Sequence, residues 1–157
     1  MNRYRISKYN PLYRCAGRYL KDEWTDFSDI GKIFEGNVLT EQEYLSVEQN
    51  YISCLVDILR LADVDVLSIT ALECYEDVPW KNQQRVSIEI MPELFQNCLR
   101  NKCWCKLEEQ KAYIHFGYDY YVYIGSVLSC DLIEKMCKKY SLFCNKQESP
   151  YEENSTD

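Results

Sequence analysis

The chain has 157 residues, with 25 acidic against 18 basic side chains, a single histidine and a net charge of −7. A chain of this length fits one domain that buries about two-thirds of the surface its unfolded form exposes, so it needs neither metal nor disulfide to fold. The negative field steers basic partners and disfavours direct nucleic-acid binding, although the same charge also serves plain solubility. No apolar run approaches the roughly 20 residues that span a bilayer, which excludes an integral membrane protein.

Tyr4 to Ser7 reads as a first short strand, followed by a turn at Asn10-Pro11. Residues 8 to 39 carry no clear period. Within them, Lys21-Asp22-Glu23-Trp24-Thr25-Asp26-Phe27-Ser28-Asp29-Ile30 interleaves four acids with two aromatics. A helix from about Thr40 to Ala62 follows, because Thr40 and Glu43 have capping-box spacing and Leu45, Ile52, Leu55, Leu59 and Ala62 share one face.

Val66 to Glu73 alternates with both faces largely apolar, as in a central strand. Glu76, Asp77, Val78, Pro79 and Trp80 then make an exposed loop, a second place where acids adjoin an aromatic. Arg85 to Met91 fits either structure: Val86, Ile88 and Ile90 alternate like a strand, yet Ser87 could cap a helix whose first turn tolerates Pro92. The helix is preferred, ending near Asn101 with Leu94, Phe95, Cys98 and Leu99 inward.

Cys103 to Glu108, Lys111 to Phe116 and Tyr120 to Ile124 read as an antiparallel meander. A three-residue loop of Gly117, Tyr118 and Asp119 sets Phe116 opposite Tyr120, Ile114 opposite Val122 and Ala112 opposite Ile124, leaving Tyr113, His115, Tyr121 and Tyr123 on the other face. A two-residue turn starting at Gly117 is the alternative, but it mixes Tyr121 and Tyr123 into the Ile114 face. Burial favours the first register. Cys130 to Tyr140, capped by Ser129, forms a last helix with Leu132, Ile133, Met136, Cys137 and Tyr140 apolar. Residues 1 to 144 are thus expected to form a single α+β domain, an antiparallel sheet of about five strands with about three helices packed on it. Residues 145 to 157 read as a disordered acidic tail.

The nine cysteines are odd in number, and their spacing is irregular. Met1-Asn2-Arg3-Tyr4-Arg5-Ile6 lacks a signal peptide's apolar stretch, so a reducing cytoplasm is the expected compartment. Cys54 beside Leu55 and Cys137 beside Met136 read as small hydrophobes. Cys98, Cys103, Cys105 and His115 could be written as a zinc site, but they lack paired knuckles, and no metal or other cofactor is expected. His115 lies near no nucleophile motif, although a triad could assemble across the fold. No phosphate loop is present. The 14 tyrosines suit an interface, and equally a core or a sheet.

Arg3-Tyr4-Arg5-Ile6-Ser7-Lys8-Tyr9-Asn10-Pro11, Lys21-Asp22-Glu23-Trp24-Thr25 with Ser28-Asp29-Ile30-Gly31, Trp104-Cys105-Lys106-Leu107-Glu108, and His115-Phe116-Gly117-Tyr118-Asp119-Tyr120-Tyr121 together resemble a group of small bacterial cytosolic proteins. Several of these act as immunity proteins against contact-dependent growth inhibition toxins. The resemblance covers most of residues 3 to 125. It implies a non-enzymatic inhibitor that binds the toxic C-terminal domain of a delivered effector, often a nuclease, and blocks its active site. An acidic partner suits a nuclease's basic cleft. On this reading Trp24, Phe27, Trp80 or Tyr118 would anchor, while Asp22, Glu23, Asp26, Asp29, Glu76, Asp77 and Asp119 would face toxin Lys and Arg. Two rival readings remain open: an uncharacterised hydrolase, and a regulatory or structural interaction module unrelated to toxins.

Overall fold

The structure is a computed structural model that describes residues 1–153. It is an α+β fold with a larger sheet than expected. In chain order the elements are β1 (Asn2–Ser7), two small hairpins β2 (Arg14–Cys15) with β3 (Arg18–Tyr19) and β4 (Ile33–Phe34) with β5 (Asn37–Val38), and then α1 (Glu41–Leu61). There follow β6 (Val66–Cys74), β7 (Arg85–Ser87), α2 (Met91–Leu99), β8 (Cys103–Glu109), β9 (Ala112–Phe116), β10 (Val122–Ser126), α3 (Cys130–Lys139) and β11 (Phe143–Lys146).

Seven strands form one antiparallel sheet in the order β11-β1-β10-β9-β8-β6-β7. The two beyond the expected five are its edges, β7 and β11. Arg85–Ser87 resolves the strand-or-helix ambiguity in both directions, because the segment pairs with Val66–Ser68 before the helix begins at Met91. Phe143–Lys146 pairs with β1, and Ser149 is buried, so the expected disorder from Asn145 onward is corrected for residues 145–153. Residues 154–157 lie outside the described part.

One sheet face is apolar and takes α1, α2 and α3. Thr40 caps α1 through Oγ1, which accepts from Glu43 N at 3.1 Å. The buried stripe runs through Tyr44, Glu48, Tyr51, Ile52, Leu55, Ile58 and Leu59. Leu45 was expected in it but is exposed, in the second turn of α1 and off the stripe. Leu55 is 1% exposed, and Leu55→Ala is expected to cost about 2–5 kcal/mol in equilibrium denaturation. A loss below about 1 kcal/mol would mean that α1 does not form the core.

Glu48 is the exception among these buried residues. Its carboxylate accepts two hydrogen bonds from Arg100 (Nε and Nη2, both 2.9 Å), one from Tyr44 Oη (2.7 Å) and one from Gln96 (3.0 Å). This pair ties α1 to the end of α2. Burial alone would raise the Glu48 pKa, but these donors outweigh it and hold the carboxyl below its usual range.

Strands β9 and β10 pair as Phe116 with Val122, Ile114 with Ile124 and Ala112 with Ser126. The preferred register is therefore corrected by two residues, because Gly117 to Tyr121 form the connection. Since strand faces alternate with period two, a slip of two preserves them. Ile114, Phe116, Val122 and Ile124 still face the core, with Tyr113, His115 and Tyr123 on the opposite face. In β6 the alternation holds from Val66 to Thr70 and breaks at a bulge, where Ala71 has φ +53° and the register shifts before Glu73. The strand is paired on both sides but lies second from the edge.

Candidate functional site: an acidic and aromatic rim

The rim is built on the connection between β9 and β10. Asp119 and Tyr120 both have left-handed backbone, φ +57° and +66°, which is costly for residues other than glycine. Three tyrosines hold the loop there. Tyr9 Oη donates to Asp119 O at 2.6 Å, Tyr51 Oη to Tyr120 O at 2.9 Å, and Tyr44 Oη lies 2.8 Å from Tyr120 Oη. Burial pushes the phenols of Tyr9, Tyr44, Tyr51 and Tyr120 up, so all four stay protonated and able to donate. The fixed loop turns Tyr118 outward at 85% exposure with Asp119 beside it.

Tyr51 Oη also accepts from Lys8 N at 2.7 Å. Tyr51→Phe strands both the Lys8 N–H and the Tyr120 carbonyl, so a stability loss of about 1–3 kcal/mol is expected in urea denaturation. An unchanged midpoint would show that water replaces the hydroxyl and that the loop is not held this way.

Two clefts flank Tyr118. One, of about 160 Å³, is lined by Thr25, Asp26, Asn101, Tyr118 and Asp119, among others. The other, of about 200 Å³, is lined by Glu73, Tyr75, Asn101, Trp104, Tyr118 and Tyr151. Both fall below the roughly 300–1,000 Å³ of small-molecule sites and suit single side chains of a protein partner. The second acidic loop is tied to this end because Tyr75 N and Glu76 N both donate to Lys102 O (3.0 and 3.1 Å). Tyr75 Oη donates to Glu73 at 2.8 Å, which pushes the Tyr75 phenol up to about 12. Asp26, Glu73, Glu76, Asp77 and Asp119 have no ion-pair partner among the described residues. Their field is directed outward.

The sequence-derived residues divide. Asp26, Tyr118 and Asp119 line the clefts, and Glu76 is exposed beside them. Asp77 is exposed but lines neither cleft. Trp80 is corrected as an exposed anchor: it is 6% exposed, and its indole N–H donates to Asn97 Oδ1 at 2.8 Å, so it is a satisfied core residue. Trp24 packs on Tyr44 and Tyr120 (5.2 and 5.0 Å between ring centroids), and Phe27 packs on Tyr44 (5.1 Å) with Arg100 above it (4.7 Å). These two rings anchor their own segment to the domain. Asp29 turns inward, where it accepts from Thr25 N and Asp26 N (2.9 and 3.2 Å) and pairs with Lys32 at 3.0 Å. Burial opposes its ionisation, but these donors prevail and depress its pKa. Glu23 is held by Lys8 (3.2 Å) and Tyr19 (2.8 Å). Asp22 is exposed on a separate groove with Trp24. Tyr75, Asn101, Trp104 and Tyr151 were missed as rim residues.

On the opposite sheet face His115 is fully buried. Its Nδ1 lies 2.7 Å from Ser149 Oγ and its Nε2 3.0 Å from Glu108 Oε1. The Glu108 carboxylate can only accept, so in the neutral ring Nε2 carries the proton and Nδ1 accepts from the Ser149 hydroxyl, which itself accepts from Tyr151 N at 3.1 Å. The C-terminal segment is thereby pinned, with help from Arg3–Glu152 (2.9 Å) and Tyr151 against Trp104 (5.2 Å). His115 faces away from Cys103 and Cys105, which share the core face with Leu107, so the written zinc set does not assemble.

Burial lowers the His115 pKa despite Glu108. The unfolded chain therefore takes up a proton first, and stability present above the ordinary imidazole range declines as pH falls through it. The denaturation midpoint is expected to drop between about pH 7.5 and 5.5, and His115→Gln should flatten that drop. A variant with an unchanged slope would assign it to other groups.

Comparison with known protein families, curated proteins and solved structures finds no match for this chain. No helix among the described residues is long and apolar enough to cross a membrane.

Proposed function

We propose that the protein is an immunity protein that binds a cognate toxin domain of basic, phosphate-handling character, such as a nuclease, and covers its active-site cleft. The observation that carries this reading is the convergence of Asp26, Glu73, Tyr75, Tyr118 and Asp119, remote in sequence, on one preorganised rim. Preorganisation reduces the ordering cost of binding, and unneutralised acids beside exposed tyrosines supply both steering and desolvated anchors. The sequence resemblance points to the same activity.

Co-expression with the polypeptide encoded immediately upstream tests it. Rescue of growth from that polypeptide's active C-terminal domain, with a complex surviving purification, is the expected result. An active toxin domain that is neither bound nor neutralised would overturn the proposal.

A hydrolase is the second reading, favoured by one observation, the Ser149–His115–Glu108 chain of hydrogen bonds. Against it, Ser149 is 6% exposed and does not line the neighbouring hollow of about 520 Å³, where Arg3, Lys106, Glu108 and His115 meet. A nucleophile must reach its substrate. Ester hydrolysis abolished by Ser149→Ala would favour this reading, and Ser149→Ala lowering stability alone would assign Ser149 to pinning the C-terminal segment.

A further inference from the structure

We infer that the groove between the β4–β5 hairpin and α1 is a docking site for a basic amphipathic segment of a protein partner, one that carries apolar side chains on one side and Lys or Arg flanking them. This rests on the reading that the protein binds a basic partner, and it adds a second contact to the rim.

The hairpin has a defined turn and a closed base. Its turn residues Glu35 and Gly36 have φ +49° and +81°, as a two-residue turn matched to strand twist requires. Its base is closed by Gly31 N to Leu39 O (2.8 Å) and Leu39 N to Lys32 O (2.9 Å). Ile33 and Val38 are direct cross-strand partners, 66% and 51% exposed. Two strands of two residues each are not stable alone, and Val38 brings one of this exposed pair to the groove.

Beside this pair the groove has a volume of about 330 Å³. Trp24, Phe34, Leu39 and Val47 give it an apolar lining, with Val38 at its edge. Asp22, Glu35 and Glu43 supply the acids, all exposed and without an ion-pair partner among the described residues. The one cation in the lining, Lys8, is already matched. Its ammonium sits 3.2 Å from Glu23 and 4.1 Å from the Trp24 ring centroid, its side chain is 8% exposed, and burial lowers its pKa to about 8 despite Glu23. The groove thus offers apolar burial flanked by unneutralised negative charge, and its complement is apolar flanked by positive charge.

Continuity with the rim adds to this. Asp22 to Trp24 line the groove while Thr25 and Asp26 line the first rim cleft, so a single stretch of chain separates the two. A partner seated on the rim can extend a segment across that stretch into the groove.

The test uses the whole protein, labelled with ¹⁵N, and two synthetic peptides of identical Leu and Lys composition. One has its leucines on a single helical face, and the other is scrambled so that no face is apolar. The faced peptide is expected to give saturable shifts at Phe34, Val38 and Val47 and to bind about tenfold more tightly than the scrambled one. Glu35→Lys with Glu43→Lys should weaken it about tenfold while leaving the rest of the spectrum in place. Equal binding of both peptides, shifts confined elsewhere, or unaltered binding by the variant would overturn the inference. The outcome is separable from the toxin test: rescue without peptide seating removes the groove and leaves the rim, whereas peptide seating without rescue leaves the groove and removes the toxin.

Discussion

Replacing Arg100 by Ala is expected to destabilise the protein by about 3–5 kcal/mol, because it leaves the Glu48 carboxylate buried without its counter-charge. Arg100 provides two of the four hydrogen bonds to that group, both at 2.9 Å, and Glu48 is 2% exposed. The effect should spread to the rim, since the guanidinium also covers Phe27, which anchors the segment carrying Asp26. Urea denaturation of the variant measures the loss, and exposure of Phe27 and Trp24 to solvent follows from near-ultraviolet spectra. Replacing Glu48 and Arg100 together by Leu should cost less than Arg100→Ala alone, since no charge is then stranded. Because the folded carboxyl has a lowered pKa, the pair's contribution is present above the ordinary carboxylate range and is lost as pH falls through the folded value. A cost under about 1 kcal/mol would mean that water reaches the pair and that it behaves as a surface bridge.

Reversing the rim's charge should have the largest effect on binding. Glu73→Lys with Asp119→Lys is expected to slow association with a basic partner by about 10- to 100-fold at low salt and to weaken its salt dependence, without altering the fold. These two positions disturb the chain less than Asp22, Glu23 and Asp26 taken together, since Glu73 holds only the exposed Tyr75 hydroxyl. Glu23 holds Lys8 and Tyr19, and Asp26 accepts from Ser28 and Asn101, so changing them disturbs the segment itself. Tyr118→Ala should act on dissociation instead, at a cost of about 2 kcal/mol or more if the ring is a central anchor. Stopped-flow association at two salt concentrations distinguishes these effects. Unchanged rates in the double variant would remove the rim from the encounter surface.

The central elements were legible because period and capping agree in them. Thr40 and the apolar stripe fix α1, Ser129 fixes α3, and the alternation in β8 to β10 assigns faces correctly even though the turn was two residues longer than expected. The edges were less legible. Arg85–Ser87 is too short for its period to separate strand from helix, and Phe143–Lys146 is polar enough to pass for a tail. Its order comes from β1 alongside and from Ser149 on His115, contacts that no local pattern encodes.

The acidic and aromatic segments of the site could be read from the sequence, but the fate of each ring could not. Trp80 and Tyr118 both follow acid-rich or glycine-containing loops, yet one is buried with its N–H satisfied by Asn97 and the other stands in solvent on a tyrosine-held loop. That difference arises from Asn97 and Tyr51, 17 and 69 residues away from the groups they hold. No local pattern marks Glu48 as a buried charge; its pairing with Arg100 across the fold does so.

The most direct measurement of the central claim is hydrogen exchange of the protein alone and in complex with the toxin domain proposed as its partner. The rim account predicts protection concentrated in residues 73–76, 100–102 and 117–121, and its weakening at high salt as the complex loosens. Protection confined to the exposed face of α3, or to the segment over His115, with the rim exchanging as in the free protein, would contradict it.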